Sequence, residues 1–205
     1  MSGLLAPPAF RAALLSVARS ERDAWLDGVL GIDALPDDGP DLPRGCVPYY
    51  PCSVDALLRM SDEARVTDAD VFVDVGAGLG RAALFVRLLT GATVLGLEVQ
   101  PGLVRAAREI ASRLGLAHVS FIEGDASTEI GLVAGGSVFF LYCPFSGERL
   151  ATVMRALSRI ARERTIRVGC VDLPLPPCPW LTRVSGSDGD LVVYQSNLMV
   201  GSEPT

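Results

Sequence analysis

The stretch VFVDVGAGLGR, residues 71–81, decides the fold of this chain. A short apolar run leads into a turn with alternating glycines, and a helical pattern over residues 81–90 follows directly. This order is typical of the first strand and helix of a doubly wound sheet. The turn departs from the dinucleotide fingerprint G-x-G-x-x-G, because Arg81 stands where the third glycine belongs. The sequence therefore argues against NAD as the ligand.

Short apolar runs and helical patterns continue to alternate after this first unit. We predict strands over residues 71–75, 93–99, 119–124, 137–143 and 166–173, and helices over residues 81–90, 101–114 and 147–162. Continuous apolar strands separated by helices indicate a parallel sheet that is covered on both faces. Residues 180–196 contain two strand patterns joined by the short turn SDG, which is too short for a parallel crossover and predicts an antiparallel hairpin. The predicted fold class is α/β, a Rossmann-like three-layer sandwich with a seven-stranded, mostly parallel sheet and a C-terminal antiparallel hairpin.

The segment before the sheet has a different pattern. Residues 8–30 carry apolar side chains at helical spacing, residues 32–52 hold five prolines, and residues 53–64 are predicted to form a further helix. We divide the chain into an N-terminal helical and proline-rich cap segment, residues 1–47, and a Rossmann-like domain, residues 48–205.

Composition limits the classes of function. The chain has 18 basic and 24 acidic residues and a net charge of −6, the wrong sign for binding many phosphates, so we expect neither a nucleic acid nor a membrane partner. Every basic residue is arginine, which suggests a bacterial source and excludes a Schiff-base or P-loop lysine. The five cysteines are widely spaced, no cluster has metal-ligand spacing, and the N-terminus lacks a signal-peptide pattern. We expect a soluble, cytoplasmic protein without a metal.

The carboxyl ends of the first three predicted strands each carry an acid, namely Asp74, Glu98 and Asp125. Ligands of open α/β sheets bind outside these strand ends. A carboxylate after the second strand can accept both hydrogen bonds of a ribose diol, and one after the third can accept from an adenine amino group. Asp74 would repel a pyrophosphate and favour a cationic aminoacyl group. The acids therefore predict a site for an adenosine that carries a cationic end.

The motifs VFVDVGAGLGR, GLEV, FIEGDA and FFLYCPF, in this order, resemble those of class I S-adenosylmethionine-dependent methyltransferases over about residues 48–196. The stretch that leads into them, YYPCSVDALLRMSDEARVTDAD, is similar to the corresponding stretch of Dot1-type histone-lysine methyltransferases. The similarity ends after the fourth strand, where residues 142–145 read YCPF and the asparagines of Dot1-type enzymes are replaced. Lysine specificity is therefore not implied.

The resemblance implies S-adenosylmethionine as the cofactor and S-adenosylhomocysteine as the product. Asp74 and residues 76–78 would line the methionine end, Glu98 and Val99 the ribose, and residues 125–126 the adenine. The implied cofactor-binding residues are Tyr49, Ser53, Asp74, Gly76, Ala77, Gly78, Glu98, Val99, Asp125, Ala126 and Tyr142. Tyr49, Ser53 and Tyr142 would form the methyl channel, and Tyr142 is the candidate catalytic residue. Glu148 and Asp172 are further candidates for a general base.

The function predicted from the sequence is methyl transfer from S-adenosylmethionine to a small-molecule oxygen or nitrogen acceptor. The alternatives are a Dot1-like protein lysine methyltransferase, an aminopropyl transferase of the same fold, and a non-catalytic module that binds S-adenosylmethionine. A protein acceptor and a homodimer stay open at this point.

Overall fold

The computed structural model describes residues 5–34, 42–185 and 190–197. Its seven strands form one sheet in the order β3-β2-β1-β4-β5-β7-β6. The strands are β1 Val71–Val75, β2 Thr93–Glu98, β3 Val119–Glu123, β4 Val138–Tyr142, β5 Arg167–Val171, β6 Leu181–Arg183 and β7 Leu191–Ser196. The first five strands pair in parallel, whereas β7 pairs antiparallel with both β5 and β6. The predicted fold class is confirmed.

Seven α-helices cover the sheet within the described residues. They are α1 Pro7–Ser16, α2 Arg22–Leu30, α3 Val54–Glu63, α4 Arg81–Thr90, α5 Pro101–Arg113, α6 Ala126–Glu129 and α7 Gly147–Glu163. The ends of α3, α4, α5 and α7 agree with the predicted ends to within one residue. The short helix α6 and the 3-10 helix Ile130–Val133 after it were not predicted. Only one helical turn is present in each, too short to produce a periodic pattern.

The two faces of the sheet bury separate apolar layers. Phe72 and Phe140 point to the face that is covered by α1, α3, α4 and α5, where they join Phe85. Val73 and Phe139 point to the opposite face, which α6 and α7 cover. Neighbouring residues of a strand point to opposite faces of the sheet, and here helices cover both faces. Apolar residues therefore follow one another along these strands without alternating with polar ones.

The N-terminal helices pack into the same core as the sheet. Phe10 of α1 lies 5.4 Å from Trp25 of α2 and 6.1 Å from Phe85 of α4, measured between ring centroids. Arg113 of α5 donates a 2.5 Å hydrogen bond to the carbonyl of Leu30, the last residue of α2. These contacts hold α1 and α2 against the rest of the domain. The proposed division at residue 47 stays a prediction.

Two predicted features lie partly or wholly outside the described residues: residues 35–41 of the proline-rich segment and the SDG turn at residues 187–189. Among the helices that are described, none combines the length and the apolar character that crossing a membrane requires.

Candidate functional site

A cleft of about 300 Å³ opens at the carboxyl ends of β1, β2, β3 and β4. Residues 46–50 cover it from the N-terminal side, and residues 142–145 form one wall. The cleft brings together eight of the predicted binding residues: Tyr49, Gly76, Gly78, Glu98, Val99, Asp125, Ala126 and Tyr142. Ser53, Asp74 and Ala77 do not line it.

Glu98 is the acid that the fold fixes most firmly in the cleft. It ends β2, it is only 6% exposed, and its two carboxylate oxygens accept hydrogen bonds of 2.8 Å from the backbone N–H groups of Gly78 and Gln100. The carbonyl of Leu97 accepts from the N–H groups of Gly76 and Ala77 at 2.8 and 3.1 Å. The glycine turn is thus bound to the end of β2. Each carboxylate oxygen can accept a second hydrogen bond, as a ribose diol would require.

The turn at Gly76 and Gly78 has a backbone that a side chain would disturb. Both residues have positive φ angles, +81° and +54°. A Cβ atom on Gly76 would lie 2.5 Å from the Cβ of Pro144, and one on Gly78 would overlap the ring of Tyr49. Glycine therefore allows the wall and the covering segment to approach the turn closely.

Asp125 lines the cleft and also caps α6. Its carboxylate accepts from the N–H of Ser127 at 2.8 Å and from the hydroxyl of Ser127 at 2.7 Å, and it forms an ion pair with Arg149. Partial burial alone would raise the pKa of Asp125, but the hydrogen bonds from Arg149 and Ser127 outweigh it and hold the pKa below its ordinary value. Asp125 is therefore charged at neutral pH, and its carboxylate is already paired with Arg149.

The other predicted residues have structural positions. Asp74 is 3% exposed, lies beneath the turn and accepts a 3.2 Å hydrogen bond from the N–H of Ala83 in α4. Burial raises the pKa of Asp74 to about 8, and the charge of Glu98 adds to the shift while the Ala83 hydrogen bond opposes it. Ser53 caps α3, where its hydroxyl accepts from the N–H of Ala56 at 3.3 Å. Ala77 is 5% exposed.

The segment that covers the cleft is attached to the chain after β4. Cys46 and Phe145 form an antiparallel bridge. The N–H of Val47 donates to the carbonyl of Pro144 at 3.1 Å, and the N–H of Ser146 donates to that of Gly45 at 3.2 Å. Cys46, Val47 and Pro144 line the cleft, although no periodic pattern in the sequence marks them. Irregular backbone carries no periodic signal, so only the structure could reveal this pairing.

Arg81, at the position of the third glycine of a dinucleotide fingerprint, has a structural role in this protein. Its side chain is 4% exposed, with Nε 2.6 Å from Asp27 and Nη2 2.9 Å from Asp23. Its Nη1 also donates to the carbonyl of Cys52 at 2.5 Å. Arg81 thus attaches α2 and Cys52, just beyond the covering segment, to the first turn of α4. These pairs were not predicted, and their only signal in the sequence is that Asp23 and Asp27 share one face of a predicted helix.

The three candidate bases lie in different places. Tyr142 and Asp172 both line the cleft, and the ring of Tyr142 lies 6.4 Å from that of Tyr50. Burial, followed by the charges of Cys52 and Asp172, raises the pKa of Tyr142 to about 12, so the phenol keeps its proton at neutral pH. Glu148 is outside the lining of the cleft, and its exposed carboxylate accepts from Arg155 at 2.8 Å.

The chain is similar to known methyltransferases. Residues 72–164 match a family model described as a methyltransferase domain. The crystal structure of an RNA methyltransferase from Salinibacter ruber in complex with S-adenosyl-L-homocysteine matches with a TM-score of 0.57 and 25% identity, and the match covers 76% of this chain and 98% of that chain.

Two further solved structures share the fold. The putative methyltransferase yhhF from Escherichia coli has a TM-score of 0.59 and 17% identity, covering 80% of this chain and 92% of that chain. The second structure has a TM-score of 0.58 and 18% identity, and the match covers 70% of this chain and 82% of that chain. That protein was solved in work on the conversion of a disulfide bond into a thioacetal group during echinomycin biosynthesis. No curated protein matches the sequence. Residues 72–164 thus match a methyltransferase domain, and the solved structures share its Rossmann-like fold; neither comparison shows the similarity to Dot1-type enzymes.

Proposed function

We propose that this protein transfers a methyl group from S-adenosylmethionine to a small-molecule oxygen or nitrogen acceptor. The observation that carries the proposal is the cleft in which Glu98 and the turn at Gly76 and Gly78 meet, within residues that match a methyltransferase domain. The similar RNA methyltransferase was crystallised with S-adenosyl-L-homocysteine, which supports the same cofactor here.

The residues of the cleft fit this cofactor. The fixed carboxylate of Glu98 would accept from the ribose hydroxyls. Val99, Leu103 and Ala126 give the cleft an apolar part that suits a flat base, with Asp125 beside it. The turn presents backbone to the cleft at Gly76 and Gly78, so it leaves room for the methionine end.

When bound, the cofactor supplies a methyl group whose carbon bonds to the acceptor while its bond to sulfur breaks, the electron pair stays on sulfur, and the acceptor loses a proton. The contribution of the chain is to hold the acceptor in line and to exclude water. Residues 46–50 cover the cleft and serve the second purpose. The protonated phenol of Tyr142 can donate a hydrogen bond to the acceptor, and the carboxylate of Asp172 can accept its proton.

The charge of the protein supports a small acceptor. A net charge of −6 opposes binding to a polyanion. RNA is the second candidate, because the similar protein from Salinibacter ruber is an RNA methyltransferase. The protein lysine that a Dot1-type similarity would imply stays a prediction from the sequence.

Two measurements test the proposal. In calorimetric titrations we expect S-adenosylmethionine and S-adenosylhomocysteine to bind and NAD to fail, and a preference for NAD would overturn the cofactor assignment. The protein is then incubated with methyl-labelled donor and separate fractions of small metabolites, RNA and protein. Label in the small-metabolite fraction supports the proposal, whereas label only in RNA or protein refutes the acceptor class. Binding of the donor without any labelled product would indicate a non-catalytic module.

A further inference from the structure

A second cleft, of about 490 Å³, lies beside the first one. The two clefts share Tyr50, Tyr142 and Asp172, which therefore stand at the boundary between them. The volume of the second cleft is in the range of small-molecule sites. Because Tyr142 belongs to the methyl channel expected from the sequence, a molecule in the second cleft would lie next to that channel.

The lining of the second cleft has an excess of negative charge. Five aspartates and three arginines line it, a formal excess of two negative charges. The arginines are already engaged: Arg81 with Asp23 and Asp27, Arg19 with Asp55, and Arg59 with Glu63 at 3.7 Å. No guanidinium of this lining is left to attract an anionic molecule.

Asp172 and Asp190 are the two aspartates of the lining that form no ion pair within the described parts of the chain. They follow β5 and precede β7, and the N–H of Asp172 donates to the carbonyl of Asp190 at 2.9 Å. The pairing of β5 with β7 therefore holds both acids at one edge of the second cleft. Both residues are exposed to solvent, so both carboxylates are accessible to a ligand.

Two aromatic rings line both clefts together with Asp172. The centroids of Tyr50 and Tyr142 are 6.4 Å apart, and the ring planes are inclined by 40°. Tyr50 is 69% exposed, which is high for a large aromatic side chain that lines two clefts. A carboxylate and tyrosine rings in one lining are a combination that attracts a cation, since a ring can add cation–π attraction to the charge of the acid.

We propose that the second cleft binds the methyl acceptor and that this acceptor is an amine, recognised in its protonated form by Asp172, Asp190 and the rings of Tyr50 and Tyr142. The inference rests on the proposed function and specifies its substrate class. Before transfer the ammonium group releases one proton to solvent and exposes its lone pair. The new carbon–nitrogen bond forms as the carbon–sulfur bond breaks, and the extra proton on nitrogen then passes to Asp172 or to water.

The test compares three probes of similar shape and different charge: phenethylamine, phenethyl alcohol and phenylacetate. Their binding is measured by saturation-transfer NMR, with and without S-adenosylhomocysteine, so the readout does not depend on activity. We expect the amine to bind at least about tenfold more tightly than the alcohol, as a charge-assisted hydrogen bond would give, and phenylacetate to bind most weakly. Equal binding of amine and alcohol, or a preference for phenylacetate, would overturn the inference even without any variant.

Variants locate the site of that preference. Asp172→Asn, and the double substitution Asp172→Asn with Asp190→Asn, should remove most of the preference for the amine. Asp68→Asn is the matched control, because Asp68 is exposed at the opposite end of β1 and should leave the preference unchanged. A preference that survives the double substitution would refute the assignment. Titration with S-adenosylhomocysteine separates the two claims: if it binds and the amine is not preferred, only this inference fails, and if it does not bind, the proposed function fails and this inference with it.

Discussion

Replacing Arg81 with glutamine is the most direct test of how the N-terminal segment is attached. Arg81 is 4% exposed and holds two aspartates and one backbone carbonyl. Breaking a buried ion pair costs about 3 to 5 kcal/mol. The side chains of Asp23 and Asp27 are 53% and 35% exposed, so water can hydrate them again after the substitution. We therefore expect a loss at the lower end, about 3 kcal/mol of unfolding free energy.

Arg11→Gln is the matched control for Arg81→Gln. Arg11 also joins an N-terminal helix to the rest of the domain, through a 2.8 Å pair with Asp62, but the two side chains are 39% and 49% exposed. An exposed pair of this kind contributes about 0 to 1 kcal/mol. The two substitutions therefore test the same type of attachment at different burial.

Urea unfolding followed by circular dichroism measures both variants. Arg81→Gln should also lower the melting temperature by about 6 to 12 °C for a chain of this size. It should weaken binding of S-adenosylhomocysteine in calorimetry, because Arg81 holds the Cys52 carbonyl just beyond the covering segment. Equal destabilisation by the two substitutions would refute the idea that Arg81 is the principal attachment.

Three further predictions concern the cofactor cleft. Gly78→Ala should cost about 1 to 3 kcal/mol of unfolding free energy, because φ is positive and the new Cβ overlaps Tyr49. Tyr49→Ala in the same chain should restore part of this free energy. An equal loss with and without Tyr49→Ala would contradict the overlap. Glu98→Gln should weaken S-adenosylhomocysteine binding by about 1 to 3 kcal/mol in calorimetry, since the amide offers one acceptor where the carboxylate offers two, and an unchanged affinity would remove Glu98 from the site. Asp74 has a folded pKa of about 8, above its unfolded value of about 4, so the free energy that it contributes is full below about pH 4 and is lost as the pH rises to 8. Asp74→Asn should therefore flatten the fall of stability between pH 5 and 8, by up to about 4 kcal/mol, and parallel curves for the two proteins would refute the shift.

The sheet could be predicted from the sequence because its signals are local. The apolar run before Gly76, the proline at the start of α5 and the glycine after α4 each mark an element boundary within a few residues. The position of Glu98 at the carboxyl end of β2 follows from the same pattern together with the general rule for ligand sites in open sheets. Local signals were therefore enough for the fold class and for much of the cleft.

The burial of Asp74 could not be predicted in the same way. Asp74 lies two residues after Phe72 and therefore on the same face of β1, where it caps the first turn of α4 through Ala83. Both faces of a parallel strand are apolar, so the sequence does not tell which face a given helix covers. The pairs of Arg81 with Asp23 and Asp27 are harder still, because they join residues 58 and 54 positions apart along the chain.

The N-terminal part of the chain completes both clefts. The residues proposed to bind the cofactor and those proposed to bind the acceptor therefore lie largely in different parts of the sequence. Residues 72–164 match the methyltransferase domain and contain the glycine turn, Glu98 and Asp125. The cover of the first cleft comes from residues 46–50, and much of the second cleft comes from α2, α3 and residues 50–53. These segments precede the matched region, and Asp172 and Asp190 follow it. The family match therefore bears on the cofactor and the chemistry, whereas most residues that line the proposed acceptor cleft lie outside the matched range.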